Sequence, residues 1–177
     1  KLPNFAILAP INSNDEQLMN LDNEEQLEIY SEQVKGYALF LNLDEFKEIG
    51  FFDENFFLYY EELDLCRRLI KNKKKIFIIT YAKINHFGGK SHNPDINYKM
   101  ELSRNWHLMW SFFYFYKKHY NYFYAFLKTF KQLLSSLIKT VFFFIFFRTK
   151  KYQIYKQRLS GLLNSMLGKS AWYRPDV

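Results

Sequence analysis

Cysteine is nearly absent from this chain: Cys66 is the only one. An internal disulfide is excluded, and a lone thiol fits a reducing compartment. Acid is nearly absent from the second half. Residues 99–177 hold 2 Asp/Glu against 14 Lys/Arg, a net of +12, whereas residues 1–98 hold 16 against 11, a net of −5. The overall charge of +7 therefore hides two regions that suit different partners. No internal repeat and no Pro/Gly/Ser-rich linker separates them, so the change near residue 98 is one of composition and not a flexible hinge. What is abundant is aromatic: Phe, Trp and Tyr make up 21% of the chain. The first residue is Lys1, not methionine, and we expect sequence upstream of it.

Local patterns divide the first region into short elements. "FAILA", 5–9, reads as a buried strand closed by Pro10, and the polar, acidic residues 12–33 read as a surface loop. "VKGYALFL", 34–41, is a second strand-like run. "NLDEFKEIG", 42–50, reads as a short helix with Asn42 as its cap, Glu45 at the capping-box position and Gly50 as its stop. Residues 61–71 form the next helix, with an apolar stripe of Leu65, Leu69 and Ile70. "KIFIIT", 75–80, is a strand, and "INHFGGKSHNP", 84–94, is a glycine-bearing loop after it. This order suits the second half of an α/β domain over 1–98. From about Tyr98 to residue 177 the pattern is helical, aromatic and basic.

Two features of the first region carry chemistry. Glu61, Glu62 and Asp64 crowd one helix start, directly behind "FFDENFFLYY". A helix N-terminus stabilises carboxylates through its free N–H groups and its dipole, which is the plain explanation of the cluster. An aromatic lead-in adds an apolar surround, and partial burial raises a carboxylate pKa toward that of a general base. His86 lies beyond the end of the next strand, beside Gly88 and Gly89. Ligands gather at the carboxyl ends of strands in open α/β sheets, so this imidazole is a candidate metal ligand; packing within its loop is the plainer use.

The stretches "VKGYALFLNLDEFKEIGFFDENFFLYYEELDLCRRL" and "KIFIITYAKINHFGGKS" together resemble the C-terminal half of the catalytic domain in family 2 glycosyltransferases, most closely the bacterial rhamnosyltransferase-type members. The resemblance implies the GT-A, Rossmann-like fold and inverting transfer from a nucleotide-sugar to a glycan or lipid-linked acceptor in cell-surface polysaccharide synthesis. It places Glu61 and Glu62 at the family's Glu-Asp pair, whose second member is the general base. Here that second member is glutamate, whose extra methylene moves the carboxylate by on the order of 1 Å. It also implies that His86 helps hold a divalent metal, Mg²⁺ or Mn²⁺; Asp64 and Arg68 match its "DLxxR", and we expect them to support the acceptor side structurally, with Arg68 pairing with an acid. The family's Asp-x-Asp metal motif is lacking. We therefore expect the acceptor side and base here, the donor site in an upstream half, and no sugar transfer by this chain alone.

The tail has its own logic. In "YFYAFLKTFKQLLSSLIKTVFFFIFF", 122–147, Lys128, Lys131, Gln132, Ser135 and Lys139 share one narrow helical arc. Between Lys131 and Arg148 lie 16 residues broken by Lys139, fewer than the roughly 20 that a span needs. In-plane binding to an anionic membrane surface fits better, and the family resemblance then implies a peripheral place at the cytoplasmic face of the inner membrane. Trp and Tyr in "RNWHLMWSFFYFYKKHY", 104–120, favour interfaces too. Contiguous, Phe-rich aromatics suit lipid better than stacking on bases, so nucleic acid is not an expected partner. "GLLNSMLGKSAWYRP", 161–175, resembles the tails of the same proteins, and we expect Trp172 and Tyr173 to pack back on the domain. Two other functions compete: a non-enzymatic membrane-surface scaffold, and a metal hydrolase using Glu61, Glu62, His86 and His92.

Overall fold

The computed structural model describes residues 4–13, 28–88 and 94–175. It is a mixed α/β structure in two compact units. One comprises Lys1–Asp53 with Glu61–Lys90, and the other Glu54–Tyr60 with Ser91–Val177. The dividing line is thus not a single cut: residues 54–60 belong with the C-terminal helices.

The first unit holds a four-stranded sheet. Its strands are β1 (Ile7–Asn12), β2 (Glu28–Tyr30), β3 (Phe40–Leu41) and β4 (Ile76–Ile84), in the order β2-β4-β1-β3. β1 and β4 run parallel, and the outer strands are antiparallel to their neighbours. β1 does not close at Pro10 but continues to Asn12. β3 pairs only with Ile7 and Leu8, so beyond them one side of β1 is an edge that tolerates the missing N–H of proline. The β1–β4 register slips between Pro10 and Ile11, another place where proline is accommodated. β2 forms within the stretch read as loop. The run 34–41 yields only two residues of strand, and Gly36 lies in the irregular segment before them.

Residues Leu43–Phe46 form a single 3-10 turn, not an α-helix. Asn42 does not cap it; its side-chain amide donates to the Phe5 carbonyl at 3.2 Å. Glu45 is drawn to Lys74 at 2.7 Å. Gly50 does end the segment, at φ +75°. Helix α1 spans Glu61–Lys71 as its charges imply, acidic in the first turn and basic in the last. Its C-terminus closes with Lys74 N–H on Leu69 O and Lys73 N–H on Ile70 O, with Lys73 at φ +58°. Leu65, Cys66 and Leu69 of α1 pack with Ala6, Ile7, Val34, Phe46 and Ile76 to make the core of this unit.

The second unit consists of α2 (Asn97–His119), α3 (Tyr122–Ile145) and α4 (Thr149–Met166). Asn121 caps α3, accepting the Tyr124 N–H at 2.8 Å. Residues 54–60 supply aromatics to α2. Phe56 meets Tyr114 edge-on at 4.9 Å, Tyr60 stacks on Phe112 at 5.8 Å, and Ser111 Oγ donates to the Leu58 carbonyl at 2.8 Å. The C-terminal segment folds back as expected. Tyr173 stacks on Trp106 at 5.9 Å, and Trp110 Nε1 donates to Lys169 O at 2.9 Å.

His107 shows how tightly that segment is fastened. It is fully buried, and Nε2 lies 2.7 Å from the Tyr173 carbonyl, so Nε2 carries the proton; Nδ1 is buried without a partner. Burial, aided by the Arg174 charge and opposed by the Tyr173 carbonyl, lowers its pKa to about 4. The unfolded chain, with the ordinary value of 6.5, therefore binds a proton that the folded unit refuses. Stability is complete above about 6.5 and falls as pH drops toward 4, by up to about 3 kcal/mol. All three tryptophans lie in this unit, so denaturation followed by their emission at pH 7, 5 and 4 measures the loss. The slope should flatten in His107→Gln, which keeps a donor for Tyr173 but does not titrate.

Candidate functional site

The first unit carries a cavity of about 340 Å³ lined by Pro10, Ser31, Gln33, Lys35, Tyr37 and Glu62, among others. Glu62 reaches it from the first turn of α1. It packs against Gly36: a Cβ placed there would stand 3.4 Å from Glu62 Cβ and 3.8 Å from Cδ. These are ordinary contact distances, so residue 36 forms a close wall against the glutamate side chain. Burial raises the Glu62 pKa, the neighbouring Glu61 charge raises it further, and its own backbone N–H works the other way. A half-buried carboxylate at a cavity wall, with elevated proton affinity, is chemically a base.

Glu61 stands beside it at the start of α1, with Oε2 buried and without a hydrogen-bond partner. The residues just before, Tyr59 and Tyr60, both adopt positive φ, 67° and 71°. Two successive tyrosines in the left-handed region are costly, about 1–2 kcal/mol each. Such strain at the entry to an acidic pair fits a functional turn.

Asp64 and Arg68 form a structural clamp. Asp64 is fully buried and accepts Arg68 Nε at 2.8 Å. Arg68 Nη1 donates at 3.0 Å to the carbonyls of both Ile49 and Gly50, and Nη2 donates to that of Phe51. One guanidinium thus ties α1 to the turn at Gly50, which steadies the helix that presents Glu62.

His86 joins this group through a residue that sequence reasoning missed. Tyr37 lines the cavity with Glu62, and its ring stacks on His86 at 5.1 Å. The Tyr37 hydroxyl donates to Pro10 O at 3.4 Å, and the His86 N–H donates to Asn12 Oδ1 at 3.3 Å. β1, the segment after β2 and the exit of β4 therefore converge here. No hydrogen bond or ion pair joins Glu62 directly to His86. Gly36, Lys35 and Tyr37 all lie in the run read as a strand; the signal that could have found them was the lysine-glycine-tyrosine interruption of its apolar pattern.

The residues for a metal are incomplete. Among the described residues, no three His, Cys, Asp or Glu side chains converge to hold an ion, so His86 supplies at most one ligand of a shared site. His92 and Gly89 lie outside the described residues. No protein-family model, curated protein or solved structure matches the chain.

Proposed function

We propose that the first unit is the acceptor side of an inverting, GT-A-type glycosyltransferase of family 2, with Glu62 as general base. One observation carries this reading: Glu62 faces a cavity of sugar-sized volume over Gly36, with its proton affinity raised by burial. In this role the Glu62 carboxylate takes the acceptor hydroxyl proton while that oxygen attacks the anomeric carbon of a nucleotide-sugar. Glu61 raises the basicity of its neighbour. Asp64 and Arg68 hold the helix in position, and Tyr37 gives His86 a fixed platform. A divalent ion, Mg²⁺ or Mn²⁺, would neutralise a departing diphosphate, with His86 as this chain's contribution to holding it.

The acceptor in this reading is a lipid-linked or polysaccharide glycan at the cytoplasmic face of the inner membrane, approached by a peripheral protein. Donor binding belongs to residues other than those described. The 177-residue chain is thus expected to transfer no sugar from nucleotide-sugars to lipid-linked acceptors, with or without Mg²⁺ or Mn²⁺. Transfer is expected only when the unit is joined to a donor-binding half that carries an Asp-x-Asp strand. Metal-dependent transfer by the 177-residue chain alone would overturn the reading. The rival, a non-enzymatic membrane-surface scaffold, draws on the outward face of α3 and predicts indifference to the loss of Glu62.

A further inference from the structure

Helix α3 is built inside out. Its buried positions are small or weakly polar: Ala125, Thr129 and Ser136. Thr129 Oγ1 is satisfied by the Ala125 carbonyl at 2.8 Å, and Thr140 Oγ1 by that of Ser136. These residues let α3 approach its neighbours closely. Phe126 and Leu133 pack against the core beside them, but most of the large apolar residues point the other way. Phe123, Leu127, Phe130, Leu134, Ile138 and Val141 are all exposed, although burial of such a row is what ordinarily drives a helix to pack. Among the described residues, no helix is long and apolar enough to cross a membrane.

The inversion is most marked at the α3–α4 corner. Phe144 is 65% exposed and Phe147 91%. Phe147 also takes φ +53°, and the helix closes around it with Arg148 N–H on Phe143 O and Phe147 N–H on Phe144 O. Glycine is the usual occupant of that position. A phenylalanine held there in a strained conformation, with its ring in the open, is a feature that folding alone does not favour.

Charge identifies what covers this face. Lys128 and Lys131 run along its flank, Lys139 reaches the Tyr155 hydroxyl on α4 at 3.3 Å, and Arg148, Lys150 and Lys151 follow the corner directly. None of the six has an acidic partner among the described residues, and no acid occurs between Glu101 and Asp176. A second copy of the chain would bring lysine stripe against lysine stripe. An anionic bilayer satisfies both halves of the surface, taking the rings into its acyl boundary and the cations at its phosphates.

We propose that the outward face of α3 is a docking surface for anionic lipid, inserted most deeply at the Phe144–Phe147 corner. This does not rest on the catalytic reading.

The test is flotation of the full chain with phosphatidylcholine vesicles and with vesicles containing phosphatidylglycerol. Binding should favour the anionic vesicles by at least about tenfold and weaken with salt. Phe144→Glu/Phe147→Glu should reduce it by about tenfold or more, and Phe123→Glu by less. These positions are exposed, and unchanged tryptophan emission verifies the fold. Arg148→Gln/Lys150→Gln/Lys151→Gln should independently lower anionic binding by roughly fivefold per charge removed. The proposal fails if the chain does not float with anionic vesicles, or if Phe123→Glu is as damaging as the corner variant. It also fails if the corner variant dissolves a lipid-free dimer while the native chain ignores vesicles.

Discussion

Gly161→Ala is expected to disrupt the helical unit. A Cβ at residue 161 would stand 2.1 Å from the Trp106 carbonyl oxygen, 2.9 Å from its carbon and 3.2 Å from its Cα. All three are backbone atoms of a facing helix, so no side chain can swing aside. α2 and α4 would have to part by about 1 Å or more to reach ordinary contact distance. That separation acts on several contacts together. Trp106 Nε1 donates to Ser160 Oγ at 3.2 Å, and the indole carries Trp172 and Tyr173 against its faces and edges. His107, one residue on, holds the Tyr173 carbonyl. A loss of 3 kcal/mol or more is expected, on the order of severe overpacking plus broken buried hydrogen bonds. Thermal denaturation followed by tryptophan emission measures it. Gly168→Ala is the control: nothing lies within 4 Å of its Cβ, and only its φ of +72° resists alanine, so about 1 kcal/mol should be lost. Equal effects at the two positions would show that the close crossing is not what holds the unit.

Gly161 also marks where sequence reasoning stops. Helix α1 could be read from residues 61 to 71 because its signals are local: acids at one end, bases at the other, and leucines on one stripe. Glu61, Glu62, Asp64, Arg68 and His86 could be named because their spacing resembles a known pattern. Tyr37 has only the break in its apolar run as a local signal, and its stacking on His86, which joins residues 49 positions apart, leaves no trace there. The proline in β1 misled for a related reason, because only the shortness of β3 leaves an open edge for it. In "FFDENFFLYY" the aromatics from Phe56 onward find partners on α2, some 50 residues away. For α3 the periodicity revealed a lysine arc but not which face turns inward. The inward face carries Ala125, Thr129 and Ser136 together with Phe126 and Leu133, which meet Met109, Phe113 and Leu162 of the neighbouring helices, residues far away in sequence.

Glu62→Gln should move stability and turnover in opposite directions. Folding raises the pKa of Glu62, so the folded unit holds its proton more tightly than the unfolded chain does. Its favourable contribution is complete below the unfolded carboxyl pKa and is lost as pH rises through the higher folded value. At pH 7 the ionised side chain is therefore a liability to folding. Glutamine keeps the shape against Gly36 without the charge, so the 177-residue chain should melt no lower, and higher at pH 7 than at pH 4 relative to the parent. In the proposed enzyme, with this unit joined to a donor-binding half, the same change removes the base, and turnover should fall by about 10²–10⁴-fold. Glu61→Gln supplies a finer test. It removes a neighbouring negative charge that raises the Glu62 pKa, so the acid limb of the rate profile should shift to lower pH while turnover survives. A Glu62→Gln protein that keeps full turnover would remove this carboxylate from the chemistry. One that loses turnover but also melts lower at neutral pH would assign it to holding the fold.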